Sequence, residues 1–458
     1  MKTTSAAQTA WELFAEQYRA RTPRSLEIFE EARGVLAGGV PGNAGYRAPY
    51  PLYVREANGA RLIDVDGNEY IDLLMGGGPH LLGHAPPPVM EAVKRQLDHG
   101  TSTIAPGEAT VELARRIQAH VPHMERLRFV HTGSEAVHIS LRVARAYTGR
   151  QRVGKFEGNF HGGYDNELIS GTQFAGPPEA PEAVPEGGGI PDSVLADTVV
   201  LPFNDAEATV ALIDRHAGEL AAVVVEPVGG TWMGGVVADT DFLEALREVT
   251  AKHGIILIFD EVITGFRLGL GGATAATGVV PDMVAFAKAI GGGFPMGAFG
   301  GRGEIMEAVV SPADPAPSGR EKIFQSGTFQ ANLVSATAGL AMLDELEKPG
   351  VHAKLDRYGE RIRTGLLEIA ADLDIEMQAI GPGSIFGVYF SSTPIRNIRD
   401  LLASDRVMSG AFHLGLVANG LYITPYHLGF TNAAQTDEDI ETVLETARRV
   451  LTQITELG

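Results

Sequence analysis

The sequence predicts an α/β protein, with a mostly parallel central sheet in a large domain and a smaller α+β domain beside it. Three observations carry this. From about residue 107 onward short apolar runs alternate with helical patterns, as strands joined by helical crossovers do. Several of these runs are apolar without interruption, as strands buried on both faces should be. The chain of 458 residues is too long for one simple core and suits two packed domains.

Taken in order, the first twenty residues hold no apolar run of secretory length. Trp11, Phe14 and Tyr18 fall on one helix face, which reads as an arm packing on the body or on a partner subunit. Residues 61–75 predict a hairpin, because two strand-like runs flank Asp66-Gly67-Asn68 and Asp-Gly is a strong turn signal. Residues 127–130 read as a short strand, with a helix over 134–147 behind it. Residues 152–156 form the next strand. The run 221–225 is a fully buried strand, 242–253 is helical, 255–259 is a buried strand ending on Asp260, and 283–287 is another ending just before Lys288.

The segment 171–193 is rich in Gly, Pro, Ala and Glu and reads as a long loop, a lid over whatever lies beneath it; 309–321 is a second long loop. Beyond residue 330 the pattern is mostly helical. Leu355, Tyr358, Ile362, Leu366 and Ile369 make one stripe, Ile440, Val443, Ala447, Val450 and Ile454 another, and 386–390 is a strand between them. The expected division is 1–60 as an N-terminal arm and part of the small domain, 61–329 as the large cofactor-binding domain, and 330–458 as the C-terminal small domain. There is no internal repeat.

Composition narrows the function. A formal net charge of −20 repels phosphate backbones and acidic lipid, so neither nucleic acid nor membrane is an expected partner. No stretch is long and apolar enough to span a bilayer, and the expected location is the cytoplasm. The chain has no cysteine, which removes thiol nucleophiles, disulfide scaffolds and iron–sulfur clusters. No metal site is read from the sequence.

The chemistry gathers at strand ends, where open α/β sheets bind ligands. Lys288 ends an apolar strand and is followed by Ala289-Ile290-Gly291-Gly292-Gly293. A desolvated lysine loses proton affinity and becomes a nucleophilic amine, and the glycines let backbone approach a bulky planar ligand; the competing reading is a lysine that snorkels to solvent. Asp260 ends another apolar strand, where a carboxylate is costly without a cationic partner. A pyridinium N–H would be such a partner, and a strand-end cap is the alternative. Thr132-Gly133-Ser134 lies between strand and helix, an arrangement suited to an anion, although Ser134 is also a good helix N-cap. Phe160, in Phe156-Glu157-Gly158-Asn159-Phe160-His161-Gly162-Gly163, can stack on a planar ring or fill a core. Neither the P-loop pattern nor GxGxxG is present.

Together these segments resemble the class III aminotransferases of pyridoxal 5'-phosphate (PLP) fold-type I, near the branch of glutamate-1-semialdehyde aminomutase and the β-amino-acid aminotransferases. The matching text runs in order: GGV at 38–40, DVDGNEYIDL at 64–73, LGH at 82–84, HTGSEA at 131–136, RVARAYTGR at 142–150, KFEGNFHGG at 155–163, VVVEPV at 223–228, LIFDEVITGFR at 257–267, KAIGGGFPMGAFGGR at 288–302 and SGTF at 326–329. The resemblance implies that Lys288 carries PLP as a Schiff base and shuttles the proton, that Asp260 pairs with the pyridine nitrogen, and that Val262 and Phe160 sandwich the ring. It implies that Gly133 and Ser134 bind the phosphate, that His161 belongs among the cofactor contacts, and that Glu226 supports them from behind. It implies that Thr328 binds the phosphate of the neighbouring subunit's cofactor, so that a homodimer with sites at its interface is the smallest active unit. Arg267 is expected to be structural.

The departures concern substrate. Gly77 stands where the aminomutase has a tryptophan and opens the pocket. The 426–430 segment, Tyr426-His427-Leu428-Gly429-Phe430, lacks the aminomutase's glutamate and also the arginine that serves a carboxylate in the β-amino-acid branch. Thr231 and bulky Trp232 stand where the aminomutase has an asparagine. Arg47 is a candidate carboxylate ligand from the N-terminal loop, against a surface salt bridge; Gly77, Trp232 and Tyr426 complete the expected substrate contacts. The expected activity is transamination from an amine or amino acid, a β-amino acid or arylalkyl amine fitting a roomy pocket, to an oxo acid, ketone or aldehyde. The alternative on the same scaffold is an isomerase, either an aminomutase or a racemase. A non-catalytic binder or a dehydrogenase would need a dinucleotide fingerprint or an unreactive Lys288, and the sequence suggests neither.

Overall fold

The computed structural model describes residues 6–310, 322–425 and 427–457. Its centre is a seven-stranded sheet in the spatial order Arg126–Val130, Gly297–Gly301, Met283–Phe286, Ile256–Asp260, Leu220–Val225, Arg152–Phe156, Thr198–Leu201. Pairing is parallel from Met283–Phe286 through Thr198–Leu201. Only Gly297–Gly301 runs against both of its neighbours.

The uninterrupted apolar runs are explained by the layers on either side. Ala222, Val224, Ile256 and Ile258 face the helices Gly133–Thr148 and Gly303–Val309. Val223, Val225, Leu257 and Phe259 face Thr240–His253 on the other side. With both faces covered, every residue of the three central strands is buried. Because these strands are parallel, their carboxyl ends share one edge of the sheet. That edge carries the 131–134 loop, the 157–163 loop, Glu226, Asp260 and Lys288.

The Gly297–Gly301 strand escapes a hydrophobicity reading because glycine is depleted in strands. Here it is required by close approach: a methyl added at Gly297 would lie 2.5 Å from the Thr132 carbonyl oxygen, and those at Gly300 and Gly301 would strike the carbonyls of Arg126 and Asp282.

The predicted hairpin forms, as Arg61–Asp64 paired with Glu69–Asp72, but it belongs to a different body from the one expected. It sits in a four-stranded sheet with Val54–Asn58 on one side and Leu421–Tyr422, in parallel, on the other. Ile71 and Leu73 pack in one core with Phe14, Tyr18, Tyr358, Phe412 and Val450. A boundary at 60/61 therefore cuts through paired strands. The boundary at 330 shifts too, since the helix Leu333–Leu346 packs on Val89, Leu113 and Ile290 of the large body. Its apolar residues run around most of its surface, so it could be buried only inside a large core. The N-terminal helix Ala6–Arg21 buries Phe14 and Tyr18 against Arg406–Ala418.

The long 171–193 segment, expected as a lid, is braced from within. The Glu186 carboxylate accepts the amides of Gly171, Thr172 and Gln173 at 2.9, 2.8 and 3.2 Å and also the Thr172 hydroxyl. Most of the expected 309–321 loop lies outside the described residues. Among the described residues no helix is long and apolar enough to cross a membrane.

Candidate active site

A cavity of about 400 Å³ opens at the carboxyl edge of the sheet. Lys288, Asp260, Glu226, Phe160, His161, Val262, Gly133 and Ser134 all line it, so the sequence-predicted cofactor set converges there with the exception of Thr328.

Lys288 follows the Met283–Phe286 strand with φ of 50°, a left-handed conformation that costs an L-residue energy and is held only by its surroundings. Its Nζ donates to the Gly77 carbonyl at 2.7 Å. Burial pulls the amine down to about 8; the carboxylates of Glu226 and Asp260 resist that fall, and the Arg267 guanidinium adds to it. A lysine so placed is still mostly protonated at pH 7 but holds far more neutral, nucleophilic amine there than a free lysine does.

Asp260 is buried at the end of its strand. Its Oδ2 lies 2.8 Å from His161 Nδ1, and its Oδ1 accepts the Val262 amide at 3.0 Å. Burial lowers the affinity of His161 for a proton, against the pull of Asp260. The neutral ring therefore donates through Nδ1 to the carboxylate. Glu226 braces two loops, accepting the amides of Phe160 at 2.8 Å and Gly230 at 2.9 Å, while its own amide donates to Asn159 Oδ1 at 2.9 Å. Burial pushes this carboxyl up to about 8, with Asp260 adding to the shift.

The helix Gly133–Thr148 is capped by Thr132, not Ser134. Thr132 Oγ1 accepts the Glu135 amide at 3.1 Å and Glu135 Oε2 accepts the Thr132 amide at 3.2 Å, a capping box. Because the threonine does the capping, Ser134 faces the cavity with its hydroxyl, which accepts the Gly163 amide at 3.2 Å. The amides of Gly133 and Ser134 are first-turn donors with no carbonyl within the helix to reach. A methyl at Gly133 would lie 2.8 Å from Val262, so this residue must be glycine for the helix to start directly against the ring-facing valine.

The remaining expected site residues are placed less centrally. Trp232 does not line the cavity. Its ring fills the space above Gly171, where a methyl would overlap it, and meets Phe160 edge-on at 4.8 Å; Thr231 faces the cavity instead. Gly77 contributes its carbonyl, and a Cβ added there would meet nothing within 4 Å, although its φ of 81° favours glycine. Arg47 lies in a separate cavity of about 250 Å³ with Tyr46, Tyr422 and Pro425, its Nη1 donating to the carbonyls of Ala44 and Tyr46 rather than to a carboxylate. Thr328 is exposed, away from the cavity of its own chain. Tyr426 lies outside the described residues.

Two supporting residues were not singled out from the sequence, and the capping role of Thr132 was not read there. Lys155 is buried and gives its ammonium to the carbonyls of Phe156 at 3.2 Å and Asn159 at 3.0 Å, knitting the aromatic loop together. Glu167, also buried, accepts the Tyr164 amide at 3.2 Å, and burial pushes its carboxyl up to about 9. Thr132 could have been found from the Thr-x-x-Glu spacing.

The residues present fit PLP. Helix-start amides and a hydroxyl suit a phosphate, the buried carboxylate suits a protonated ring nitrogen, Phe160 and Val262 provide apolar surface for a ring, and the lysine amine can form an imine with the aldehyde.

Comparison with known proteins agrees. The profile of the aminotransferase class-III family matches residues 43–450. The chain is 41% identical over 430 residues to the glutamate-1-semialdehyde 2,1-aminomutase of Methanothermobacter thermautotrophicus, covering 93% of this chain and 99% of that one. Among solved structures it is similar to an omega-transaminase from Sphaerobacter thermophilus, with a TM-score of 0.89, 38% identity, and coverage of 94% and 97% of the two chains. It is also similar to a β-phenylalanine aminotransferase from Variovorax paradoxus, with a TM-score of 0.86, 30% identity and 96% coverage of both. The chain belongs to the class III aminotransferase family.

Proposed function

We propose that this PLP-dependent class III enzyme is a transaminase that moves an amino group from a β-amino acid or arylalkyl amine to an oxo acid, ketone or aldehyde. The cofactor is pyridoxal 5'-phosphate. When bound, PLP supplies an aldehyde that condenses with amines and a ring that draws electrons from the adjoining carbon. The chain does the rest. The amides of Gly133 and Ser134, with the Ser134 hydroxyl, would hold the phosphate. Asp260, fixed by His161 and the Val262 amide, would hold the ring nitrogen protonated. Phe160 and Val262 would face the ring, and Glu226 keeps Phe160 in place. Lys288 Nζ takes the proton from the substrate carbon and returns it on the other side of the transfer.

The observation that carries transamination over isomerisation is the absence of a side chain at Gly77, whose carbonyl meets the Lys288 amine and where an added Cβ would meet nothing within 4 Å, together with His427 in place of a carboxylate on the 427–430 segment. Both favour a roomy site without the aminomutase's bulky and acidic groups, and the likeness to the Sphaerobacter and Variovorax enzymes supports the same reading. The second reading, a glutamate-1-semialdehyde 2,1-aminomutase-like isomerase, is favoured by the 41% identity to the Methanothermobacter enzyme; a racemase is its variant.

One experiment separates them. The holoenzyme is mixed with a panel of amines and no acceptor, and released oxo product is counted against active sites. One equivalent of oxo product supports the transaminase, whereas rearranged or racemised amine without oxo product supports the isomerase. We further propose a homodimer in which Thr328 reaches the neighbouring subunit's phosphate site. The exposed apolar side chains of Ile104, Phe324 and Phe329 support this, and light scattering of the purified chain tests it.

A further inference from the structure

Arg267 is wholly buried. Its Nη1 donates to Ser384 Oγ at 3.2 Å and the Thr431 carbonyl at 3.1 Å, and its Nη2 donates to the Gly78 carbonyl at 2.8 Å. None of these acceptors is a carboxylate. Its Nε finds no acceptor among the described residues, and the guanidinium lies 4.7 Å from the centre of the Phe430 ring. Asp356 acts on it only from a distance. Burying a cation without a paired anion is expensive, and neutral side chains of similar volume would fill the same space at lower cost. A role confined to packing does not account for a charge here.

What the fork holds does account for it. Residues Met75, Gly76, Gly77 and Gly78 have φ of 49°, 66°, 81° and 112°, four left-handed residues in succession. The turn is anchored at its start by Asp72, whose Oδ1 accepts the amides of Leu74 at 2.7 Å and Met75 at 2.9 Å and whose Oδ2 lies 2.7 Å from His84. It is anchored at its end by Arg267. Between the anchors, the Gly77 carbonyl receives the Lys288 amine.

We propose that Arg267 is a positioning residue for Lys288: it clamps the Gly78 carbonyl so that the left-handed turn presents the Gly77 carbonyl to the free Lys288 amine, and its unpaired charge keeps that amine reactive. This rests on the reading of Lys288 as the reactive amine. The charged groups acting on that amine are Glu226 and Asp260, which favour its protonated form, and Arg267, which opposes it; His427, whose ring burial drives down to about 4, is neutral where the amine titrates. Arg267 is the permanent cation of the set, and the Gly77 carbonyl is the resting partner of the amine whenever it is not covalently engaged.

The test is the pH dependence of covalent attachment. PLP is added to the full chain stripped of cofactor, and adduct at Lys288 is trapped with borohydride and counted by peptide mass. Thermal unfolding is followed in parallel. In Arg267→Gln the midpoint of the attachment profile should rise by about one pH unit, and attachment at pH 7.5 should slow several-fold. A folded Arg267→Gln protein with the wild-type midpoint overturns the proposal, because a merely structural arginine would lower the melting temperature and leave the midpoint alone. Should that variant not fold, Arg267→Lys decides. It keeps the charge and loses the fork, so the midpoint should hold while attachment slows, and a wild-type rate overturns the proposal. Lys288→Ala is the control for the underlying reading: adduct formation elsewhere at the wild-type rate would sink Lys288 as the reactive amine and leave the arginine's geometry untouched.

Discussion

His161 Nδ1 lies 2.8 Å from Asp260 Oδ2, and both side chains are at most 5% exposed. With the Val262 amide on the other oxygen, the carboxylate is aimed from two directions. Replacing His161 by Leu leaves one oxygen of a buried carboxylate without its donor, which costs about 1–3 kcal/mol. The expected result is a lower melting temperature, weaker retention of PLP through dialysis and a fall in kcat. An unchanged kcat with full cofactor content would show that the histidine does not orient Asp260.

Gly133 sits against Val262, with room for a hydrogen and no more. Gly133→Ala should push the helix start away from the valine and weaken PLP binding at least tenfold, equivalent to about 1.4 kcal/mol, with a smaller effect on the fold because the capping box at Thr132 survives. Fluorescence titration of the stripped chain with PLP measures this directly. Equal affinity would mean that Val262 yields freely.

Arg399, on the short helix Ile398–Leu402, ties that helix to the aromatic loop. Its Nε and Nη2 make paired bonds of 2.8 and 2.9 Å to the buried Glu157, and its guanidinium lies 4.8 Å from the centre of the Phe174 ring. Arg399→Ala leaves Glu157 buried and unpaired, and the expected loss is about 2–3 kcal/mol. Urea unfolding of Arg399→Ala, Glu157→Gln and the double variant tests the coupling. If the single losses simply add, the pair does not act as a unit.

The pH dependence of stability isolates Lys288. Its amine is drawn down to about 8 in the fold from 10.5 outside it. Below pH 8 both states carry the charge, and the native state bears the cost of burying it. Between 8 and 10.5 the unfolded chain binds more protons, so stability rises with pH on account of this residue. Without cofactor, Lys288→Met should therefore be more stable than wild type at pH 7, and the advantage should shrink as pH rises through that window. A gap of the same size at pH 7 and pH 10 would contradict the lowered amine.

Lys288 and Asp260 were readable because each ends an apolar run, and a charged residue at the end of a strand buried on both faces has few cheap places to go. The order of the sheet was less accessible. The Gly297–Gly301 strand is three-fifths glycine, and Ala298 and Phe299 alone are too few to show a hydrophobic pattern. The hairpin at 61–72 pairs with Leu421–Tyr422 from the far end of the chain, and no local signal reports such a partner. Trp232 looks like a pocket residue by its position in the chain, but the bare Gly171 beneath it offers the ring a better seat. Arg267 carried no sign of its acceptors, since all three lie in distant segments and two are backbone carbonyls.

The glycine strand constrains how this protein can diverge over generations. Its faces are taken by the carbonyls of Thr132, Arg126 and Asp282, so an inherited side chain there would part the strand leading to the 131–134 loop from the one leading to Lys288. New substrate preferences have to be written at the rim instead, at positions such as Thr231 and Phe294, which face the same cavity without separating those two strands. A lineage exploring new amines would drift at the rim and stay fixed at 297, 300 and 301.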